Sequence, residues 1–332
     1  MAKVNTIMPY SVSEESFTSL ISLYKKTSNS LKWEPLFILP PWLKVWWQEF
    51  GSCYELLLLS VRKGEEVIGL APLKKKDDTA SLIGSSDVTD YVDFIVSPGR
   101  EEIFFELILT GLQKKGIKYL ELKHFRPESA IANYMVKAAR EKGLLLSLEP
   151  EEKSLEISLP DSWEAYLALL SKKQRHEVRR KIRNLKKAGQ INFRLLSGRD
   201  ELAGWTDSFF RLFRESRQDK ASYMTPKREA FFRSMLETMA EWNLLKMGVL
   251  EFEAEPAALT LMFDYQHRIL LYNSGYNPRL RHLSAGLVSK LLCIKDSIKK
   301  NRKVFDFLKG DEAYKYRLGG KEVPLYRCLL SL

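Results

Sequence analysis

The segment Phe305–Gly320, FDFLKGDEAYKYRLGG, crowds many residues with special chemical demands into a short stretch of the chain. Val304–Leu308 has the aromatic and β-branched composition of a buried strand, and Lys309-Gly310-Asp311 follows with a turn that needs the backbone freedom of glycine. The loop after the turn carries both charges and two phenols, on Asp311, Glu312, Tyr314, Lys315, Tyr316 and Arg317. A structural hairpin rarely needs all of these side chains, so the segment predicts a functional site.

Carboxylates that could accept a proton occur in this segment and in a second one. The second segment is Thr89–Val96, TDYVDFIV, which contains Asp90 and Asp93. In the late segment, Asp306 stands between two phenylalanines and points opposite to them if the segment is a strand. Asp306 is therefore expected to face either solvent or a cleft.

Length and composition limit the class of protein. At 332 residues the chain is long enough for two domains that each bury their own core, and 45% hydrophobic with 29% charged residues is typical of a soluble globular protein. Met1–Leu20 lacks the apolar run of a signal peptide, and no membrane span is predicted. The cysteines, Cys53, Cys293 and Cys328, are odd in number and far apart, which favours reduced thiols in the cytoplasm.

The positive charge of the chain is concentrated in one place. Of a net charge of +11, most comes from Ser171–Gly189, which holds nine Lys or Arg against one Glu. A local patch of this kind argues against a diffuse nucleic-acid-binding surface. The four histidines have no spacing typical of metal ligands, so no metal is expected.

The chain repeats one order of elements at an offset of roughly 185 residues. The first copy is predicted to have strands at Glu55–Val61, Glu66–Lys74, Tyr91–Val96 and Lys118–Lys123, with a helix at Glu101–Lys115. The second copy is predicted to have strands at Leu245–Phe252, Pro256–Phe263, Ile269–Tyr276 and Val304–Leu308, with a helix at Ala285–Lys300. Two such copies predict two related domains, each a mixed sheet with helices on its faces.

A long amphipathic helix is predicted between the copies, from a cap at Asp161 to Gly189. At about 1.5 Å per residue it would be roughly 40 Å long. Its basic residues either form a solvated face or, at Lys172, Arg175 and Arg179, line a groove and bind phosphates of a substrate. Two further helices, Glu201–Glu215 and Lys227–Trp242, complete a helical segment over residues 161–242.

The chain resembles the GNAT-superfamily acyltransferases, and more closely the tandem-GNAT group described as cellulose-biosynthesis (CelD-like) acetyltransferases, which is related to the Fem-type peptidyltransferases. The resemblance rests on Phe305–Gly320 and on four other segments, PPWLKVWWQEFG (40–51), TDYVDFIV (89–96), SWEAYLALLSKKQRHEVRRKIRNLKKAG (162–189) and LYNSGYNPRLRHLSAG (271–286). It implies an α/β fold of mixed sheets in two tandem GNAT-like domains, residues 1–155 and 156–332, with the long basic helix connecting them.

The resemblance also implies a site for coenzyme A. GNAT proteins hold its pyrophosphate on the backbone amides of a Gly-rich loop that opens a helix. The counterpart here is residues 279–286, where Arg279, Arg281, Ser284, Ala285 and Gly286 are the candidate contacts. This loop departs from the family pattern because only one of its glycines is present. The alternative is a helix capped by Ser284, with both arginines in water.

Further roles follow from the resemblance. Acyl transfer to an amine needs a proton acceptor and stabilisation of an oxyanion, and Asp93 and Asp306 are candidates for the acceptor. Tyr314 matches the tyrosine that protonates the leaving group in GNAT enzymes, and Lys315 matches a Fem-type lysine beside the donor or acceptor phosphate. The remaining candidates for substrate contacts are Asp90, Tyr91, Tyr272, Asn273 and Ser274. Packed aromatic and surface roles remain open for Tyr314 and Lys315.

The predicted activity is transfer of an acyl group, in the first instance acetyl, from an acyl-coenzyme A to an amine. The resemblance implies a sugar or cell-envelope precursor, or a nucleotide-linked sugar or peptide, as acceptor, and a monomer or homodimer. One alternative is Fem-like transfer of an aminoacyl group from transfer RNA. Another is a binding protein that has kept the fold without the chemistry.

Overall fold

The computed structural model describes residues 9–332. Met1–Leu20 was predicted to lack the apolar run of a signal peptide. Its first eight residues lie outside the described residues. Two compact units divide the chain: the first contains the described residues up to Glu152 together with Pro324–Leu332, and the second contains Lys153–Val323.

Up to residue 158 the elements are β1 (Tyr10–Glu14), α1 (Phe17–Thr27), α2 (Pro40–Phe50), β2 (Glu55–Lys63), β3 (Glu66–Lys76), β4 (Thr79–Leu82), β5 (Ile95–Val96), α3 (Glu101–Lys114), β6 (Tyr119–Phe125), α4 (Val136–Glu141) and β7 (Leu145–Ser158). The helices that follow are α5 (Trp163–Leu169), α6 (Lys172–Ala188), α7 (Arg199–Ala203), α8 (Thr206–Ser216), α9 (Gln218–Tyr223) and α10 (Pro226–Glu241), with β8 (Ile191–Leu196) after α6. The remaining elements are β9 (Leu245–Phe252), β10 (Glu255–Tyr265), β11 (Arg268–Tyr276), α11 (Ala285–Lys299), β12 (Val304–Lys309), α12 (Ala313–Arg317) and β13 (Lys321–Ser331).

Both units have the same strand order, as the internal repeat predicted. In the first unit the order is β1-β2-β3-β4-β6-β13, antiparallel throughout except for the parallel pair β4–β6. In the second unit it is β8-β9-β10-β11-β12-β7, antiparallel except for the parallel pair β11–β12. The fold is therefore a repeated mixed α/β unit, and β4 and β6 correspond to β11 and β12.

The third strand of the first copy was assigned wrongly from the sequence. The segment Tyr91–Val96 was predicted to be this strand, but the strand beside β6 is β4, and only Ile95–Val96 pairs with β3. At four residues, TASL, β4 is too short for a period-2 pattern to stand out. The residues before Ile95 are buried without being a strand, because Asp93 binds backbone amides instead of a neighbouring strand.

The predicted long basic helix is two helices, α5 and α6. Ser162, and not Asp161, caps α5, and Leu170 is extended at its end. Ser171 then starts α6 with a capping box, in which its hydroxyl accepts from the Gln174 amide and its own amide donates to the Gln174 side chain. The pattern Ser-x-x-Gln is a helix start that the continuous apolar stripe obscured.

Each unit has its own hydrophobic core. In the first, Phe104 and Phe105 of α3 pack against the sheet, and the Phe104 ring fills the space beside Gly69, where any Cβ would clash. In the second, apolar residues of α11 such as Leu291 and Ile294 pack with Phe305 and Phe307 of β12. Among the described helices, none is long and apolar enough to cross a membrane. Cys53, Cys293 and Cys328 are free thiols.

Candidate active site

The parallel strands β11 and β12 separate partway along their length. They pair from Arg268–Val304 to Leu270–Asp306 and no further, although β11 continues to Tyr276. On its other side, β11 has a register irregularity against β10 at Tyr272. We call the divergence of the two strands beyond Leu270 and Asp306 the strand fork. Such a gap exposes backbone groups of β11 that a sheet would otherwise pair.

Side chains from four elements meet at the strand fork. The ammonium group of Lys290, on α11, donates to Ser274 Oγ at 2.9 Å and to the Gly286 carbonyl at 3.1 Å. It also lies 5.1 Å from the centroid of the Tyr314 ring. Lys220, on α9, donates to the carbonyl of the same serine. Ser274 therefore accepts hydrogen bonds from two lysines, from Lys290 at its hydroxyl and from Lys220 at its carbonyl.

The surroundings of these side chains change their protonation. Burial and then the nearby charge of Lys220 lower the pKa of Lys290 to about 7. Burial likewise lowers the pKa of Lys220 to about 8, with Arg217 as the largest charged contributor. Burial and then Glu312 raise the pKa of the Tyr314 phenol well above its usual range. At neutral pH the site thus holds a phenol that keeps its proton and an amine that loses its proton readily.

Tyr314 is the predicted residue whose position best suits chemistry. Its ring packs edge-on against Phe307, with centroids 6.2 Å apart, while the side chain remains partly exposed. Among residues 9–332 its hydroxyl has no hydrogen-bond partner. A raised pKa keeps the phenol protonated at neutral pH, so its free hydroxyl is available as a donor, although it is a weaker acid than an ordinary tyrosine.

Lys315 is buried, with 1% of its surface exposed. Its ammonium group donates to the carbonyls of Leu308 and Gly310, both at 3.0 Å, and to that of Lys309 between them. It also pairs with the Glu312 carboxylate at 2.8 Å. Leu308 and Gly310 have positive φ angles, so the lysine stabilises a turn that few backbones adopt unaided. The structural role of Lys315 in this turn is observed, and its catalytic role stays a prediction.

Asp306 faces neither solvent nor a cleft, which corrects the expectation from strand alternation. It is fully buried, and its carboxylate accepts from the Leu308 amide at 2.8 Å and from Arg268 at 3.3 Å. Arg268 in turn donates to Glu156 of β7. The carboxylate therefore links three strands of the second unit.

The predicted coenzyme A loop is a 3-10 helix, Pro278–Leu283, followed directly by α11. Arg279 and Arg281 are exposed on it. Ser284 adopts a left-handed conformation, with φ of 58°, and its hydroxyl accepts from Lys181 of α6 at 2.9 Å. Ser284 is thus a turn residue held by a cation rather than a side-chain cap of α11.

The start of α11 keeps one backbone donor accessible, the amide of the partly exposed Gly286, because Ala285 is fully buried. The amides of Leu287 and Val288 both donate to the Ser284 carbonyl, whereas Ala285 and Gly286 have no acceptor within the helix. A Cβ at Gly286 would lie 3.0 Å from the Tyr276 ring, which gives the glycine a packing reason as well. A helix N-terminus with exposed arginines nearby can bind an anion even without further glycines.

The predicted groove residues of α6 and β11 have different environments. Lys172 and Arg179 are exposed, and Arg179 lines a groove of about 430 Å³ between α5 and α6. Arg175 instead donates to the Leu170 carbonyl at 3.3 Å across the helix break. Tyr272 stacks on Phe232, with ring centroids 5.6 Å apart, while Asn273 is partly exposed at the strand fork.

Asp90, Tyr91 and Asp93 belong to the first unit, in the segment between β4 and β5. Asp90 and Tyr91 are buried, and Tyr91 packs against Phe37 with ring centroids 6.0 Å apart. The Asp93 carboxylate accepts from the amides of Phe94, Ala130 and Ile131 at 2.9, 2.8 and 3.1 Å. Asp93 therefore anchors the turn that starts the π-helix Ile131–Met135.

We expect Asp93 to make the first unit less stable as pH rises from about 4 to about 7. Burial raises its pKa from 3.8 to about 7, so its stabilising contribution is complete below the unfolded value and is lost as pH rises through the folded one. Asp93→Asn should flatten this slope in urea unfolding measured across that range. Asp77→Asn, at an exposed carboxylate of the same unit, should leave the slope unchanged. A slope that persists in Asp93→Asn would assign it to other groups.

The first unit contains a cavity of about 500 Å³ beside β3, β4 and β6. Lys74 lines it, with its ammonium group 4.5 Å from the Trp46 ring and 5.1 Å from the Tyr54 ring, and donates to the carbonyls of Leu82 and Gly84. Burial lowers the pKa of Lys74 to about 8. The cavity therefore occupies the place in the first unit that the strand fork occupies in the second.

Sequence reasoning missed Lys220, Lys290 and Lys74. Lys290 carried a usable signal, because it lies within Leu287–Cys293, a mostly apolar stretch of α11. Lys220 had none, because it lies in a polar segment and is brought to Ser274 only by the packing of α8 and α9. Among the described residues, no cluster of His, Cys, Asp or Glu could hold a metal ion.

Residues 172–316 match the family described as an acetyltransferase (GNAT) domain. The matched range includes α6, the strand fork, the start of α11 and Tyr314. Over this range the second unit is therefore similar to a GNAT-type acetyltransferase domain. Membership of the narrower CelD-like group stays a prediction.

Solved structures share the fold over nearly the whole chain. The structure of FemX matches with a TM-score of 0.65 at 10% identity, covering 96% of this chain and 96% of that one. The C-terminal domain (DUF2156) of a proposed lysylphosphatidylglycerol synthetase from Agrobacterium fabrum matches with 0.60 at 8% identity, covering 95% and 92%. A protein of unknown function from Bacteroides thetaiotaomicron matches with 0.58 at 10% identity, covering 98% and 100%. No curated protein matches the sequence.

Proposed function

We propose that the protein transfers an acyl group, in the first instance acetyl, from an acyl-coenzyme A to an amine at the strand fork of the second unit. The observation that supports this proposal is that Lys290 contacts both Tyr314 and Ser274 where β11 and β12 separate. A gap beside β11 gives a thioester backbone groups to bind, and the Tyr314 phenol can protonate the departing thiolate.

The donor's phosphates would bind at the start of α11. The exposed Arg279 and Arg281 offer charge to a pyrophosphate, and the free amide of Gly286 at the positive end of the helix dipole offers a hydrogen bond. Lys181 adds a third cation through its contact with Ser284. These groups replace the glycines that the family pattern would supply.

Calorimetry with acetyl-coenzyme A tests the donor site. We expect Arg279→Ala with Arg281→Ala to weaken its Kd roughly tenfold or more, since charge-assisted hydrogen bonds contribute about 1.5–3 kcal/mol. The matched control is Lys299→Ala, at an exposed cation at the other end of α11. Unchanged affinity in the double variant, or no binding to the wild type, would contradict the donor assignment.

A second candidate is transfer of an aminoacyl group from transfer RNA, which the basic face of α6 favours. This helix carries exposed cations along its length and reaches the donor loop through Lys181 and Ser284. Binding of aminoacyl transfer RNA with a steep salt dependence, together with no binding of acetyl-coenzyme A, would support it. For either donor, we propose that the acceptor is an amine of a sugar or cell-envelope precursor.

A further inference from the structure

Lys290 is a buried lysine without a carboxylate partner among the described residues. Its ammonium group contacts one hydroxyl, one carbonyl and the face of one aromatic ring. A buried cation normally has a paired anion, because the desolvation of an isolated ammonium group is costly. The nearest comparison is Lys315, which is also buried but pairs with Glu312 and three carbonyls.

The charged and titratable groups around Lys290 come from α9, from α12 with the residue before it, and from α11 itself. Lys220 of α9 approaches through Ser274, Glu312 precedes α12, Tyr314 lies on α12, and Cys293 is on the same helix. The Cys293 thiol is buried and its pKa is raised to about 12, so it stays uncharged at neutral pH. The unfavourable neighbour is therefore Lys220, and the favourable one, Glu312, is already engaged by Lys315.

Of the acidic candidates for accepting a proton at the strand fork, Asp311 is exposed to solvent and the others are occupied. Asp306 is buried on Arg268 and the Leu308 amide, and Glu312 pairs with Lys315. Asp93 belongs to the first unit and binds three amides there. The remaining group that could accept a proton is the Lys290 amine on α11. It lies beside Tyr314, the candidate proton donor.

We propose that Lys290 accepts the proton that the acceptor amine loses during acyl transfer, and that Lys220 is a positioning residue for it through their shared contact with Ser274. This inference rests on the proposed function. Burial among Ser274, Gly286 and Tyr314, and then repulsion from Lys220, disfavour the ammonium form of Lys290, so its free amine is accessible near neutral pH.

The proposed reaction forms one bond, breaks one bond and moves two protons. The amine nitrogen of the acceptor attacks the thioester carbonyl carbon, forming a C–N bond, and collapse of the intermediate breaks the C–S bond. The nitrogen's proton passes to the Lys290 amine, and the thiolate takes the Tyr314 hydroxyl proton. Lys290 then releases a proton to solvent and the Tyr314 phenolate regains one, which restores both groups.

The pH dependence of kcat/KM, measured with the full chain, acetyl-coenzyme A and a simple amine acceptor, tests this role. In the wild type we expect a limb that rises with an apparent pKa of about 7. Lys220→Met should move the limb to higher pH, because it removes the neighbouring positive charge. Lys290→Met should lower kcat by about 10²-fold or more and remove the limb. Lys295→Met, at an exposed lysine on the same helix, should change neither.

Two further measurements keep the proposal falsifiable if Lys290→Met folds poorly. Thermal unfolding reports the fold of each variant, and Lys290→Arg keeps a cation that cannot accept a proton, so it should lose the limb as well. Titration of isotope-labelled lysine side chains by NMR should show Lys290 losing its proton near neutral pH.

The outcomes distinguish a failure of the proton-acceptor role of Lys290 from a failure of the proposed acyl transfer. A Lys290 that titrates near 10.5, or a limb that survives Lys290→Arg, would overturn the proton-acceptor role while leaving acyl transfer intact. A wild type that transfers no acyl group to any amine would overturn the proposed function and this inference together.

Discussion

Replacing Tyr314 with phenylalanine should lower kcat for acyl transfer by about 10²–10⁴-fold without reducing the stability of the fold. The ring contacts with Phe307 and Lys290 depend on the aromatic face, which phenylalanine retains. The hydroxyl alone is lost, and it makes no hydrogen bond to the described part of the chain, so its loss leaves no buried group unsatisfied. Steady-state kinetics with thermal unfolding of both proteins would check this.

Tyr316→Phe is the matched control, because it deletes a hydroxyl two residues away that donates to the Glu322 carboxylate on an exposed surface. It should change kcat by less than about twofold, as expected for a surface contact. If Tyr314→Phe were equally active, the leaving thiolate would take its proton from elsewhere, and the role given to Tyr314 would be wrong.

Replacing Lys315 with methionine should lower the free energy of unfolding of the second unit by about 3 kcal/mol or more. Three consecutive carbonyls, on Leu308, Lys309 and Gly310, would lose their common donor, and leaving a buried acceptor unsatisfied costs about 1–3 kcal/mol. Glu312 would also lose its partner. Methionine has a similar length, so packing is largely kept and the change reports mainly on the ammonium group.

This prediction separates the structural role of Lys315 from the catalytic one implied by resemblance. Urea unfolding measures the first, and kcat under conditions where the variant remains folded measures the second. Lys321→Met, at an exposed lysine nearby, should leave both unchanged. An unfolding free energy equal to that of the wild type would show that the three carbonyls are satisfied without Lys315.

The repeated units could be predicted from sequence because their hairpins are long and strongly patterned. The strand predicted at Leu245–Phe252 has the bounds of β9, and that at Val304–Leu308 differs from β12 by one residue. Short or interrupted elements were not predictable in this way. β4 has four residues, and the break at Leu170-Ser171 lies inside an uninterrupted apolar stripe.

Only the part of the candidate site that has local sequence signals could be predicted. Tyr314 lies next to a strand end and a glycine turn, which are local signals. The contacts of Lys220 and Lys290 with Ser274 join residues distant in sequence, so they arise only from tertiary packing. Asp306 shows the converse: strand alternation pointed it away from the phenylalanines, but the sheet is covered on both faces, so pointing away did not mean exposure.

The strand that completes the first unit's sheet comes from the far end of the chain. β13 pairs with β6 from Tyr326 to Ser331, and Arg327 binds Glu149 of the same unit. During translation, β6 leaves the ribosome long before β13 does, so its edge has unpaired backbone groups throughout synthesis of the second unit. Newly made chains should therefore depend on chaperones that shield this edge until β13 emerges.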